Sequence, residues 1–151
     1  MLHPSPTTKI DPTLTRTTIE EICECESPCV ALSFANTNYK LNLQPASDMD
    51  EFRSMVGKTV LGTIHATARR IDAASAGGRS IDPVAGRPRR IMGRIVGIDT
   101  RSNGLVVNVG PDMAVWLQIS APNQHAKDFA EVEYITCDIL PGASFKFKEL
   151  A

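Results

Sequence analysis

Aromatic residues are scarce in this 151-residue chain, which holds one Trp, two Tyr and five Phe. Proteins that bind single strands without sequence preference stack bases on exposed rings, so the scarcity counts against that mode. No apolar run approaches the roughly 20 residues that span a bilayer. The opening Met1-Leu-His-Pro-Ser-Pro-Thr-Thr-Lys-Ile-Asp-Pro12 has neither a basic n-region nor an apolar h-region. It reads as no secretory signal, and residues 1–15 read as a flexible tail. There is no GxxxxGK[ST] phosphate loop and no G-x-S-x-G elbow, because Gly57-Lys58-Thr59 lacks the upstream glycine. No catalytic constellation stands out, and the expectation is a protein that is not an enzyme.

Cysteines are few. Cys23-x-Cys25-x3-Cys29 invites a metal reading, but tetrahedral zinc is normally held by two clipped ligand pairs. The remaining candidate ligands, Cys137, His3, His65 and His125, are scattered. On a strand, Cys23 and Cys25 share a face and read as small packing residues, while Cys137, between Ile135 and Ile139, reads as core. The expectation is therefore no metal, no cofactor, free thiols and a cytoplasmic location.

What the chain does have is a repeated order of patterns about 75 residues apart. Val30-Ala-Leu32-Ser-Phe34 alternates, Asn36-Thr-Asn38 turns, and Tyr39-Lys-Leu41-Asn-Leu43-Gln alternates again. Leu105-Val-Val107-Asn-Val109, Gly110-Pro-Asp112 and Val115-Trp-Leu117-Gln-Ile119 repeat that order. Period-2 apolar residues around turn-rich tripeptides describe β-hairpins with one buried face. Short helical segments follow, Ser47–Val56 with Ser47 as cap, and the weaker Asn123–Glu131. Strands are expected next, at 58–66 and 134–139. Ahead of the hairpins lie 19–25 and 91–98. The first is open between a strand and a helix started by Thr18-x-x-Glu21. The second ends at an Asn103-Gly104 hairpin signal. A short extended stretch within 79–90 and another at 143–148 complete the elements.

Strand, strand, strand, helix, strand, strand is the order of the OB-fold, a five-stranded Greek-key barrel. Phe52 followed by Val56-Gly57-Lys58-x-Val60-x-Gly62 resembles the helix-to-strand-four passage of OB-fold proteins. Gly93-Arg-Ile-Val-Gly97-Ile-Asp99 resembles their first strand, where glycines permit sharp coiling. The resemblance covers roughly 17–150 as two copies. It implies an all-β protein with short helices, built as two tandem OB-like five-stranded barrels packed together after internal duplication. The expected division is a first barrel at 16–86, including a basic loop, and a second at 87–151. An SH3-like pair, or one larger fused antiparallel barrel, also fits the pattern.

Charge is balanced overall, 16 basic against 17 acidic side chains, but not locally. Eight of the ten arginines fall between 69 and 101: Arg69, Arg70, Arg79, Arg87, Arg89, Arg90, Arg94 and Arg101. Against Asp72, Asp82 and Asp99 that window carries +5, which leaves −6 for the remainder. Clustered guanidiniums attract polyanions and pair bidentately with phosphate. In the OB reading the segment includes the loop between strands four and five, one of the loops that contact oligonucleotides in that fold. The first seven of these arginines are the candidate nucleic-acid or anion-binding residues. A loop pairing with Glu20, Glu21, Glu24 and Glu26, or with a second subunit, is the competing explanation. Val115, Leu117 and Ile119 set the inward face of their strand, so Trp116 points to the other side and is a possible contact surface. Two functions remain: non-catalytic binding of nucleic acid or another polyanion, and a protein–protein or self-assembly module. Neither involves a membrane.

Overall fold

A computed structural model describes residues 10–24, 26–75 and 77–151. Eleven strands run β1 Thr15–Cys23, β2 Cys29–Ser33, β3 Lys40–Pro45, β4 Thr59–Ala73, β5 Ser80–Asp82, β6 Ala85–Gly86, β7 Arg90–Asp99, β8 Gly104–Gly110, β9 Met113–Ile119, β10 Tyr134–Ile139 and β11 Ser144–Leu150. One α-helix, α1 Met49–Met55, separates β3 from β4, and one 3-10 turn, Ala126–Phe129, separates β9 from β10. The protein is therefore mostly β, and both expected hairpins form. The ambiguity at 19–25 resolves as strand as far as Cys23, and Cys25 lies outside the described residues. Asn103 takes φ 56° ahead of Gly104, the left-handed turn that an Asn-Gly pair favours.

Local chemistry explains where the helical segments depart from expectation. Asp48, not Ser47, caps α1, its carboxylate accepting from Asp50 N at 3.0 Å. Ser47 instead accepts at Oγ from the Phe147 amide of β11 at 3.2 Å. The second segment shortens to a single 3-10 turn that buries Ala126 and Phe129. His125 N donates back to Asp128 Oδ2 at 3.0 Å.

All strands belong to one sheet, whose pairings close two circuits. In the first, β1 pairs β2, β2 pairs β3, β3 runs parallel to β11, β11 pairs β4, and β4 returns to β1. In the second, β7 pairs β8, β8 pairs β9, β9 runs parallel to β4, β4 pairs β10, and β10 returns to β7. The 15-residue β4 thus serves both, its first half in one circuit and its second half in the other. The last strand, β11, closes the circuit that the first three strands begin. Five strand pairings therefore cross the expected 86/87 boundary: β4 with β9, β10 and β11, β3 with β11, and β5 with β7.

Alternation along β4 holds this arrangement in place. Val60, Gly62, Ile64, Ala66 and Ala68 are buried, and the residues between them are not. One continuous apolar core lies under both circuits, from Ile19 and Phe145 to Val107 and Ile135. The buried polar residues are satisfied, as burial demands. Thr15 Oγ1 donates to Ala114 O at 2.9 Å and accepts from Ala114 N at 3.0 Å, which ties β1 to β9. Thr17 Oγ1 donates to Ser33 O at 2.7 Å. Where β4 runs past the end of β9, the Gln124 side-chain amide stands in for a strand, accepting from Ile71 N and donating to Ile71 O. Among the described residues no helix is long and apolar enough to cross a membrane.

Candidate functional site

The arginines separate into two groups. β4 and β10 lose register between Cys137/Ile139 and Ile71/Ala68, so Arg69 and Arg70 together oppose Asp138. Such a bulge leaves two neighbouring side chains outside the ladder, and both arginines are exposed. On the other side of β10, Arg90 faces Asp138 in register and pairs with it at 3.0 Å. Ile139 accepts no gap: its amide donates to Arg89 O at 2.8 Å, while Ala68 is its partner on β4. Two strand spacings therefore put the Arg69 and Arg89 backbones about 10 Å apart across the sheet. Arg87 and Arg89 line an open cleft of about 540 Å³ with Asp82, Pro83, Ala85 and Gly86.

This first group holds Arg69, Arg70, Arg87, Arg89 and Arg90 against Asp72, Asp82 and Asp138, a balance of +2. Arg70 is engaged with Asp72 at 3.0 Å. Arg69, Arg87 and Arg89 form no ion pair among the described residues. The second group lies farther along β7. Arg94 is 3.7 Å from Glu133, and Arg79 donates to Asn108 Oδ1 at 2.8 Å. The seven candidate arginines thus fall into five around Asp138 and the 82–89 cleft and two beside Asn108 and Glu133. The acidic cluster weighed as a partner, Glu20 to Glu26, lies elsewhere. Of its described members, Glu24 pairs with Arg53 of α1.

Trp116 faces outward as its parity requires, and it is half-buried. Its indole N–H donates to Thr13 O at 2.9 Å. In the parallel β4–β9 pair His65 lies directly beside it, ring centroids 6.1 Å apart and planes inclined by 34°. The same His65 opposes Ser144 of β11, so Ser144, His65 and Trp116 form one row across three strands. A cleft of about 520 Å³ opens over this row, lined also by Thr67, Asp99, Ser102 and Gln118. A second cleft of about 330 Å³ lies beside Trp116 toward Lys146 and Lys148. Sequence reasoning named His65 only as a scattered ligand candidate. Its place beside Trp116 comes from a parallel pairing that no local pattern announces.

Charge in this cleft is restrained. The Asp99 carboxylate is held below the usual range, first by the Ser102 side chain and then by the Ser102 and Arg101 amides. His65 is held below the ordinary imidazole value, first by burial and second by Lys146. Its Nε2 lies 2.8 Å from Thr63 Oγ1. The unfolded chain takes up that proton more readily, so stability rises with pH through the window just below about 6.5. The melting temperature should fall as pH is lowered from about 7 to 5.5. His65→Gln, which keeps a hydrogen-bonding group near Thr63, should flatten that slope. Identical slopes in both proteins would exclude His65 as the source.

Among the described residues no three His, Cys, Asp or Glu side chains gather to hold an ion. Burial pushes the Cys137 thiol up to about 12, so it stays protonated and is a poor ligand. Cys23 lies opposite Cys29 across the β1–β2 hairpin and is exposed, which corrects its reading as a packing residue. Cys25 lies outside the described residues. Comparison with family models, curated proteins and solved structures finds nothing that matches this chain.

Proposed function

We propose that this protein is a non-catalytic binder of nucleic acid, held through its phosphates by the five-arginine end of the β4–β10–β7 surface. The observation that carries the reading is the bulge opposite Asp138. It leaves Arg69 and Arg70 exposed across β10 from Arg89 and Arg90, while Arg69, Arg87 and Arg89 form no ion pair among the described residues. Guanidiniums in this state match phosphate bidentately and lose little internal pairing on binding. The scaffold reading that accompanies it is a pair of OB-like barrels. Each circuit runs three antiparallel strands, a helical segment (α1 in the first, the 3-10 turn in the second) and a fourth strand, with a fifth strand parallel to the third and antiparallel to the fourth. That is the pattern of a five-stranded Greek-key barrel, and its recurrence supports internal duplication. The copies are interlaced through β4 and β11 instead of lying in tandem.

The test is fluorescence anisotropy with a labelled single strand and a labelled duplex at low and moderate salt. Replacing Arg69, Arg87 and Arg89 together by Ala is expected to weaken binding at least tenfold. The log–log salt slope should fall by about 2 for a single strand, since each lost phosphate contact removes roughly 0.7. Because none of the three forms an ion pair among the described residues, the melting temperature should move by no more than about 2 °C. Absence of salt-sensitive binding by the unmutated protein, even at low salt, would overturn the proposal. A protein partner or a second copy would then be the occupant to seek on that surface.

A further inference from the structure

The outward face of β4 is not occupied by arginines alone. Thr63, His65, Thr67 and Arg69 follow one another on it, spanning about 20 Å at roughly 3.3 Å per residue. Register fixes what stands beside each. Lys146 lies next to Thr63, Trp116 and Ser144 flank His65, Gln118 lies next to Thr67, and Asp138 with Arg90 lies beyond Arg69. Cations therefore stand at both ends of this band, with two rings and neutral hydrogen-bonding groups between them.

Resting on the nucleic-acid reading above, we infer that the Trp116–His65 row is a base-stacking platform for a single strand laid along β4. Trp116 has open space on two sides, since it lines both the 520 Å³ and the 330 Å³ clefts. Its Thr13 hydrogen bond fixes the indole edge, so presenting its face to a ligand costs little further ordering. A base has a π-face whatever its identity, which makes such a platform tolerant of sequence. The Ser144 hydroxyl offers a donor and an acceptor to a base edge. The Gln118 side-chain carbonyl offers an acceptor, its amide nitrogen already donating to Ser102 O and Asn103 O. The Asp99 carboxylate, which accepts from Ser102 and the Arg101 amide, has acceptor capacity left for an amino group. That carboxylate would repel a phosphate, so the backbone runs toward Lys146 at one end and Arg69, Arg89 and Arg90 at the other. A duplex cannot present a base face to this row without unpairing, so the band prefers single strands. The aromatic scarcity of the chain limits the platform to about one base.

Trp116 is the sole tryptophan, which makes its own emission the readout. A labelled 12-residue deoxythymidine strand is compared with an abasic deoxyribose-phosphate strand of the same length and charge. Anisotropy follows binding, and tryptophan emission follows stacking. The thymidine strand is expected to quench Trp116 by about half at saturation and to bind about tenfold tighter than the abasic strand, which leaves the emission nearly unchanged. Trp116→Leu should remove the tenfold difference, while Trp116→Phe, which keeps a ring, should retain most of it. Should Trp116→Leu fail to fold, quenching of the unmutated protein and the Phe variant still decide the matter. Equal binding of both strands without quenching overturns the platform and leaves the arginine reading standing. Binding of neither strand overturns both.

Discussion

A chain ending at Leu140 is expected not to fold. β11 supplies the partners of two strands at once, parallel to β3 at Gln44 and Pro45 and antiparallel to β4 from Val60 to His65. Removing it leaves two strand edges unpaired over a core that also loses Phe145, a side chain with no solvent exposure that packs on Phe52 at 6.1 Å between ring centroids. Loss of a buried Phe alone costs about 3–5 kcal/mol, and a domain has only about 5–15 to lose. The backbone pairings add to that loss. Phe145→Ala measures the graded version, and a drop in melting temperature on the order of 10 °C is expected, since each kcal/mol is worth about 2–4 °C at this chain length. By the same reasoning fragments 16–86 and 87–151 should each be unfolded alone, because each lacks a strand the other supplies. A cooperative melt from either fragment would contradict this.

The second large effect concerns two glycines. A Cβ on Gly62 would overlap the Lys146 carbonyl and the Phe145 ring, and a Cβ on Gly93 would overlap the Asn108 carbonyl and a Val107 methyl. The obstacle in each case is backbone, which cannot rotate away as a side chain can. Gly62→Ala and Gly93→Ala should each cost about 3 kcal/mol, the upper range for overpacking. Gly97→Ala is the control. Its Cβ would meet only the Val106 side chain, at an ordinary 3.5 Å, and the change should stay within about 1 kcal/mol. Urea melts of the three variants, compared at constant m-value, check the ordering. If Gly97→Ala proves as costly as Gly93→Ala, coiling of β7 and not close approach is what its glycines serve.

The elements were mostly legible in the sequence, and their partners were not. Alternation identified β2 and β3 around Asn36–Asn38, and β8 and β9 around Pro111-Asp112, because a hairpin's pairing is local. It stopped β4 at Ala66, since Arg69-Arg70 reads as the start of a charged loop. In the structure those arginines are the bulge that lets the strand continue to Ala73. Alternation also marked β11 without revealing that it joins β3, about 100 residues earlier: a period of two tells which face is buried, never against which strand. At the site, the parity of Trp116 was legible from Val115 and Leu117. The partial neutralisation of the arginines was not, because Asp138 and Glu133 reach Arg90 and Arg94 only through β10. The +5 segment is legible in composition, whereas its division into two groups follows from strand pairing.

Sharing β4 between the circuits also sets a timetable for synthesis. By the time the ribosome has delivered α1 and β4, four strands and a helix stand ready, yet β11, the strand that joins β3 to β4, has still to be made. The nascent N-terminal half must wait, apolar surface open, through some 70 further residues before its final strand emerges. Closure then links Ser144 to Gln44 and His65 across a long stretch of sequence, the kind of non-local pairing that slows folding and prolongs exposure to aggregation. Slowing translation before residue 140 should therefore lower the yield of native protein instead of raising it.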